Sequence, residues 1–139
     1  MKRTLEFASH PGNLSLMRNF AREFLAAHPF TETEIDLMVL GLDEACTNII
    51  RYAYEHNQTQ PITLTCEREG GLIILRLRDF GKQCDPAQLC ARPIDQAKPG
   101  GLGLHLIRKA FGSVEYLQKE KGTELVLTKN LPPESITRD

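Results

Sequence analysis

The chain has 139 residues, of which 17 are Lys or Arg and 18 Asp or Glu, and its 41% hydrophobic and 25% charged content is that of an ordinary globular protein. A net charge of −1 with the cations scattered gives no electrostatic footprint for gripping DNA or RNA by its phosphates, so no direct nucleic-acid ligand is expected. No apolar run reaches the roughly 20 residues that span a bilayer, and the polar mix after Met1-Lys2-Arg3 is not a signal-peptide core, so a cytoplasmic protein without membrane contact is expected.

In chain order, Lys2 to Ala8 alternates around Leu5 and Phe7 and ends at Pro11-Gly12, which predicts a short edge strand. From Asn13 as cap, Leu14, Met17, Phe20, Ala21, Phe24 and Leu25 fall at helical spacing until Pro29. A second helix starts near Thr31, with Glu34 completing a capping box, and is expected to run to about Glu55. Its apolar stripe is Ile35, Met38, Leu42, Ala45, Cys46, Ile49 and Ala53. Ile62 to Glu69 and Leu72 to Asp79 alternate with period two around Gly70-Gly71, whose positive φ angles suit a tight hairpin. The stretch from Phe80 to Gly103 is too long for a plain connection. A helix from about Leu102 to Phe111 follows, then a hairpin of Ser113 to Lys119 and Thr123 to Lys129, and a tail fraying from about residue 132. The fold class is α+β: a two-layer sandwich of a mainly antiparallel or mixed sheet with helices on one face, in a single domain over residues 1–139.

Four segments carry chemistry. On the second helix Leu40, Glu44, Thr47, Asn48 and Arg51 form a second stripe by i+3 and i+4 spacing. Glu44 and Asn48 are stacked neighbours, offering oxygen donors for magnesium or a carboxylate that takes a proton from a hydroxyl; a solvated helix face fits the pair as well. Asp79-Phe80-Gly81 ends a strand, where the acid can accept from an exocyclic amine and the glycine lets a ring approach, although Asp-x-Gly is also a common turn. Pro99-Gly100-Gly101-Leu102-Gly103-Leu104 runs into a helix, as a phosphate cradle or as a hinge; it is neither a P-loop nor a dinucleotide fingerprint. Gly122-Thr123 opens the last strand, which is hairpin grammar on its own. Cys46, Cys66, Cys84 and Cys90 form no CxxC pair and read as reduced packing or surface residues.

Taken in order, Glu44-x-x-x-Asn48, Asp79-x-Gly81, Gly101-x-Gly103 and Gly122-Thr123 resemble the N, G1, G2 and G3 boxes of the ATPase superfamily shared by DNA gyrase and histidine kinases. Within it, the segments Asp43 to Tyr54 and Gly101 to Arg108 are similar to those of the bacterial anti-sigma factor serine/threonine kinases. The resemblance implies a Bergerat-type fold, a left-handed βαβ sandwich, binding ATP and Mg²⁺. By the same resemblance Asn48 binds the metal and Glu44 is the general base. Asp79 then reads the adenine amine, Gly81 lies beside the nucleoside and Thr123 supports the base. Gly101, Leu102 and Gly103 meet the phosphates, and Ala87 to Pro99 is a short lid, to which we add Lys98 as a phosphate contact. Its partners would be a sigma factor and a STAS-type anti-anti-sigma protein, with a homodimer also open. A module that sequesters its partner without transferring phosphate is the alternative. Two positions depart from the family pattern: Gln83 replaces the second G1 glycine, and Pro99 stands where some relatives have an Arg.

Overall fold

The computed structural model describes residues 1–83 and 99–133. The first expected strand forms as β1 (Lys2–Ala8) and, among the described residues, lies at a sheet edge beside β2. The chain then turns through a short 3-10 segment, Pro11–Asn13, into α1 (Leu14–Ala26). Asn13 occupies the cap position of α1 but makes no capping bond; its Nδ2 donates instead to the Ala8 carbonyl at 2.9 Å, and His10 Nδ1 accepts from the Gly12 N–H. The intervening 3-10 turn explains the difference, since it holds Asn13 in helical rather than extended backbone, turned away from the helix start.

The capping box of α2 (Glu32–Asn48) is as the sequence predicts. Thr31 Oγ1 accepts from the Glu34 N–H at 3.1 Å and Glu34 Oε1 accepts from the Thr31 N–H at 2.8 Å. The α-helix does not run on to Glu55. From Ile49 to Ala53 it widens into a π turn, in which the Tyr54 N–H reaches back five residues to the Ile49 carbonyl at 2.9 Å. The extra residue in the turn lets both Ile49 and Ile50 face inward, a packing that a regular helix would divide between core and surface. Positive φ at Glu55 and His56 then turns the chain away.

The hairpin of β2 (Pro61–Glu69) and β3 (Leu72–Asp79) turns on Gly70 at φ +61°; Gly71 needs no positive φ, so one glycine serves where two were expected. Helix α3 (Pro99–Ala110) begins three residues earlier than its apolar pattern suggests, with Pro99 at the first helical position, where its missing N–H costs nothing. Gly101 is therefore inside the helix, as the sequence predicts for Gly103, rather than in a loop leading to it. Strands β4 (Ser113–Gln118) and β5 (Thr123–Asn130) complete an antiparallel sheet of order β1-β2-β3-β5-β4.

Alternate residues of the strands build one apolar face: Phe7 pairs with Ile62, Leu64 with Leu77, Cys66 with Leu75, and Leu125 and Leu127 continue the same rows on β5. Helix α2 packs between α1 and α3 and sends Met38, Leu42 and Cys46, all fully buried, into this layer. Burying an aliphatic side chain of this size contributes about 1.5–3 kcal/mol, which is how the sheet fixes the roll of α2 and with it the direction of the Glu44–Asn48 stripe. Burial pushes the Cys66 thiol up to about 12 and raises Cys46 further, so both are inert packing groups. Among the described residues no helix is long and apolar enough to cross a membrane.

Candidate nucleotide site

Where α2 passes into its π turn, a cleft of about 560 Å³, solvent-open space included, separates the helix from the end of the sheet. Ala45, Asn48, Ile49, Tyr52 and Ala53 form one wall. The other comes from the sheet side: Asp79 at the end of β3 with Lys82 beyond it, Tyr116 on β4, and Thr123 and Leu125 on β5. The lining is mainly apolar with a few convergent polar groups, the composition of a small-ligand site. Thus Asn48, Asp79 and Thr123, far apart in sequence, line one cleft.

The polar groups are unequal. Asn48 Oδ1 is buried and has no hydrogen-bond partner among the described residues. A buried carbonyl oxygen left in that state costs about 1–3 kcal/mol, a penalty relieved only by a donor or cation arriving from outside. An amide oxygen is a hard donor of the type magnesium takes, and a metal that keeps its waters and a ligand's phosphates needs few protein groups, so the residues fit such an ion.

Asp79 is buried to 3% exposure in the opposite wall. Its Oδ1 accepts from the Gly81 N–H at 2.9 Å, and the backbone of Thr123, its register partner on β5, is a second donor. Burial nevertheless dominates and raises its pKa above the ordinary Asp value, with the Gly81 bond, the Arg78 charge and the Thr123 bond opposing. A raised carboxylate pKa means that the charged form is the disfavoured one in the folded protein. The penalty is therefore full above the raised pKa and vanishes below the ordinary value. Asp79→Asn, a neutral mimic, is expected to gain stability relative to the unmodified protein as pH climbs through that window; urea melts across pH check it, and a pH-independent difference would contradict it.

Glu44 lies one helical turn before Asn48 and does not itself line the cleft. It is half-buried, and its pKa is raised first by burial and then by the neighbouring Asp43 charge, against the lowering effect of Arg51. Asp43 is held on the α1 side by Arg18 Nη1 at 2.9 Å. A carboxylate with enhanced proton affinity beside an open cleft is suited to removing a hydroxyl proton.

The backbone around Asp79 is gripped from both sides. A Cβ on Gly81 would lie 2.4 Å from the Ala53 carbonyl oxygen, so glycine alone lets the strand end meet the π turn. Gln83 Nε2 donates to the carbonyls of Lys119 and Gly122 at 2.5 and 2.6 Å, tying the G1 segment to the β4–β5 turn. That is what the residue standing in for the second G1 glycine does. Lys98 and the proposed lid up to residue 98 lie outside the described residues; Gly101, Leu102 and Gly103 are in the first turns of α3. Sequence reasoning missed Tyr52, Lys82 and Tyr116. Tyr52 is signalled by its i+4 relation to Asn48, whereas Tyr116 reaches the cleft only through its pairing with Leu125.

Comparison with known proteins agrees with this architecture. Residues 7–129 match the family model of the histidine kinase-like ATPase domain. The serine/threonine-protein kinase BtrW of Bordetella bronchiseptica is 33% identical over 102 residues, covering 70% of this chain and 72% of that protein. The anti-sigma F factor of Anoxybacillus flavithermus is 26% identical over 132 residues, covering 91% and 90%. Among solved structures, the RsbU and RsbW domains of Rv1364c from Mycobacterium tuberculosis superpose with a TM-score of 0.69 at 16% identity, over 94% of this chain and 32% of that longer one, which is a likeness of fold. With the family model spanning β1 to β5 and a relative at one-third identity over most of both chains, the protein belongs to the histidine kinase-like ATPase domain family.

Proposed function

We propose that this chain is an ATP-dependent protein serine/threonine kinase and anti-sigma factor, which holds a sigma factor in one state and phosphorylates a STAS-type anti-anti-sigma protein in another. The observation that carries the reading is the buried Asn48 Oδ1, without a hydrogen-bond partner among the described residues, on a residue that lines a cleft whose other wall presents Asp79. Family membership supports ATP as the nucleotide, and the names of the relatives support the kinase and anti-sigma roles.

In this reading the chain acts as one ATPase unit. Asn48 holds Mg²⁺, which when bound offsets the charge of the phosphates. Asp79 accepts from the adenine amine, Gly81 lies against the nucleoside, and Thr123 supports the base. Gly101, Leu102 and Gly103 lend the early N–H groups of α3 to the phosphates, and Lys98 adds a cation. Glu44 takes the proton from the substrate Ser or Thr hydroxyl as its oxygen bonds to the γ-phosphorus and ADP departs. Most of the rate enhancement in such a transfer comes from positioning and charge stabilisation, which these groups supply.

The test is incubation with γ-labelled ATP·Mg²⁺ and the purified anti-anti-sigma candidate. Label on a Ser or Thr of that protein is expected. Nucleotide-dependent partner binding with no label transferred would instead identify a sequestering module.

A further inference from the structure

The β2–β3 ladder stops short of where its register leads. Its pairs run from Glu69 with Leu72 to Thr63 with Arg78, and the same register carried two residues further would place Pro61 opposite Phe80. The Tyr54 hydroxyl occupies that junction. It donates to the Pro61 carbonyl at 2.6 Å and accepts from the Phe80 N–H at 2.7 Å, so one phenol satisfies both backbone groups that the unfinished ladder leaves over. The ring is buried, which fixes where the hydroxyl stands.

The contact continues along the chain. The Lys82 N–H donates to the Ala53 carbonyl at 2.7 Å, and a Cβ on Gly81 would meet Tyr54 Cδ1 at 2.8 Å as well as Ala53. Phe80, Gly81 and Lys82 therefore rest on the π turn that ends the Asn48 helix and on the Tyr54 that follows it. Asp79 immediately precedes this run. Its backbone is paired with Thr123 on β5, and on the opposite side the hydroxyl wedge holds the strand end off β2 and against the turn.

We propose that Tyr54 is a positioning residue for nucleotide recognition: by splaying β3 from β2 at Phe80, its hydroxyl sets the Asp79 carboxylate at adenine-reading distance across the cleft from Asn48. The inference rests on the nucleotide reading above and deepens it. Hydrogen-bond readout is lost over displacements of about 1 Å, so a wedge of one hydroxyl is enough to govern base preference while leaving the phosphate end of the site in place.

Tyr54→Phe keeps the ring and removes the wedge. By displacement of a fluorescent nucleotide, the unmodified protein is expected to prefer ATP to GTP by at least tenfold. The variant is expected to lose at least tenfold in ATP affinity with less than a threefold change for GTP. A Tyr54 that only braced the fold would weaken both nucleotides alike, and an unchanged ATP-to-GTP ratio overturns the proposal. Because the substitution orphans two backbone groups, a second readout uses the unmodified protein. By reciprocity between base recognition and the Tyr54–Phe80 hydrogen bond, saturating ATP is expected to slow hydrogen exchange at the Phe80 amide at least fivefold more than saturating GTP, and equal protection overturns the proposal. An unmodified protein with no affinity for ATP overturns the nucleotide reading itself; one that binds ATP selectively, with the variant equally selective, overturns the role of Tyr54 alone.

Discussion

Replacing Glu44 with Gln is expected to leave ATP binding within about threefold of the unmodified protein and to cut phosphate transfer to the anti-anti-sigma partner by about 10²–10⁴, the usual worth of a positioned base. The expectation follows from placement. Glu44 sits a turn away from Asn48 and outside the cleft lining, so its loss should disturb binding little, yet burial and the Asp43 charge give it more proton affinity than an exposed glutamate has. Gln keeps its shape and hydrogen-bonding reach while removing only the ability to take the proton. Measuring transfer and nucleotide affinity on the same variant separates the roles: loss of both together would move Glu44 into the binding site, and loss of neither would remove it from the reaction.

The second large effect is expected at Gly122. It has φ +78°, and a Cβ there would fall 2.0 Å from the Asp79 carbonyl oxygen and 2.5 Å from Phe80 Cα. Neither neighbour is a flexible side-chain end; both are backbone at the floor of the site. Its own carbonyl accepts from Gln83 and from the Lys119 N–H, so a shift of the β4–β5 turn breaks those bonds too. Strain in the left-handed region together with overpacking against backbone predicts a loss of about 2–4 kcal/mol for Gly122→Ala, seen as a Tm lower by roughly 8 °C or more, with ATP affinity falling alongside. A melt within about 2 °C of the unmodified protein would mean that the turn is not seated on Asp79.

Much of this was legible before any coordinates. Thr31 and Glu34 mark the start of α2 because a capping box is a purely local device, and the β2–β3 pair declares itself through strict alternation on either side of Gly70. The stripe of Glu44 and Asn48 follows from helical geometry alone. The π turn was hidden because Ile49 and Ala53 continue the apolar spacing of α2, and only packing of Ile49 and Ile50 together decides for the wider turn. Helix α3 starts early because first-turn tolerance for proline outweighs the glycine-rich look of the segment. Of the far wall, Asp79 and Thr123 were named from the resemblance, whereas Lys82, Tyr116 and Leu125 were invisible for a different reason. Which side chains flank Asp79 depends on β5 pairing beside β3 and β4 beyond it, and such non-local pairing leaves no mark on the local pattern. Tyr54 and Gln83 belong to the same class, since their hydroxyl and carboxamide are read only once the groups they bridge are brought together.

The most direct trial of the central claim, that Asn48 and Asp79 face one another across a site for ATP and magnesium, is calorimetric titration of ATP into the unmodified protein and into Asn48→Ala, each with and without Mg²⁺. Saturable binding that strengthens at least tenfold with Mg²⁺ in the unmodified protein, and loses that dependence in a variant that still folds, is the predicted result. Equal affinity in all four titrations, or no binding in any, would contradict it.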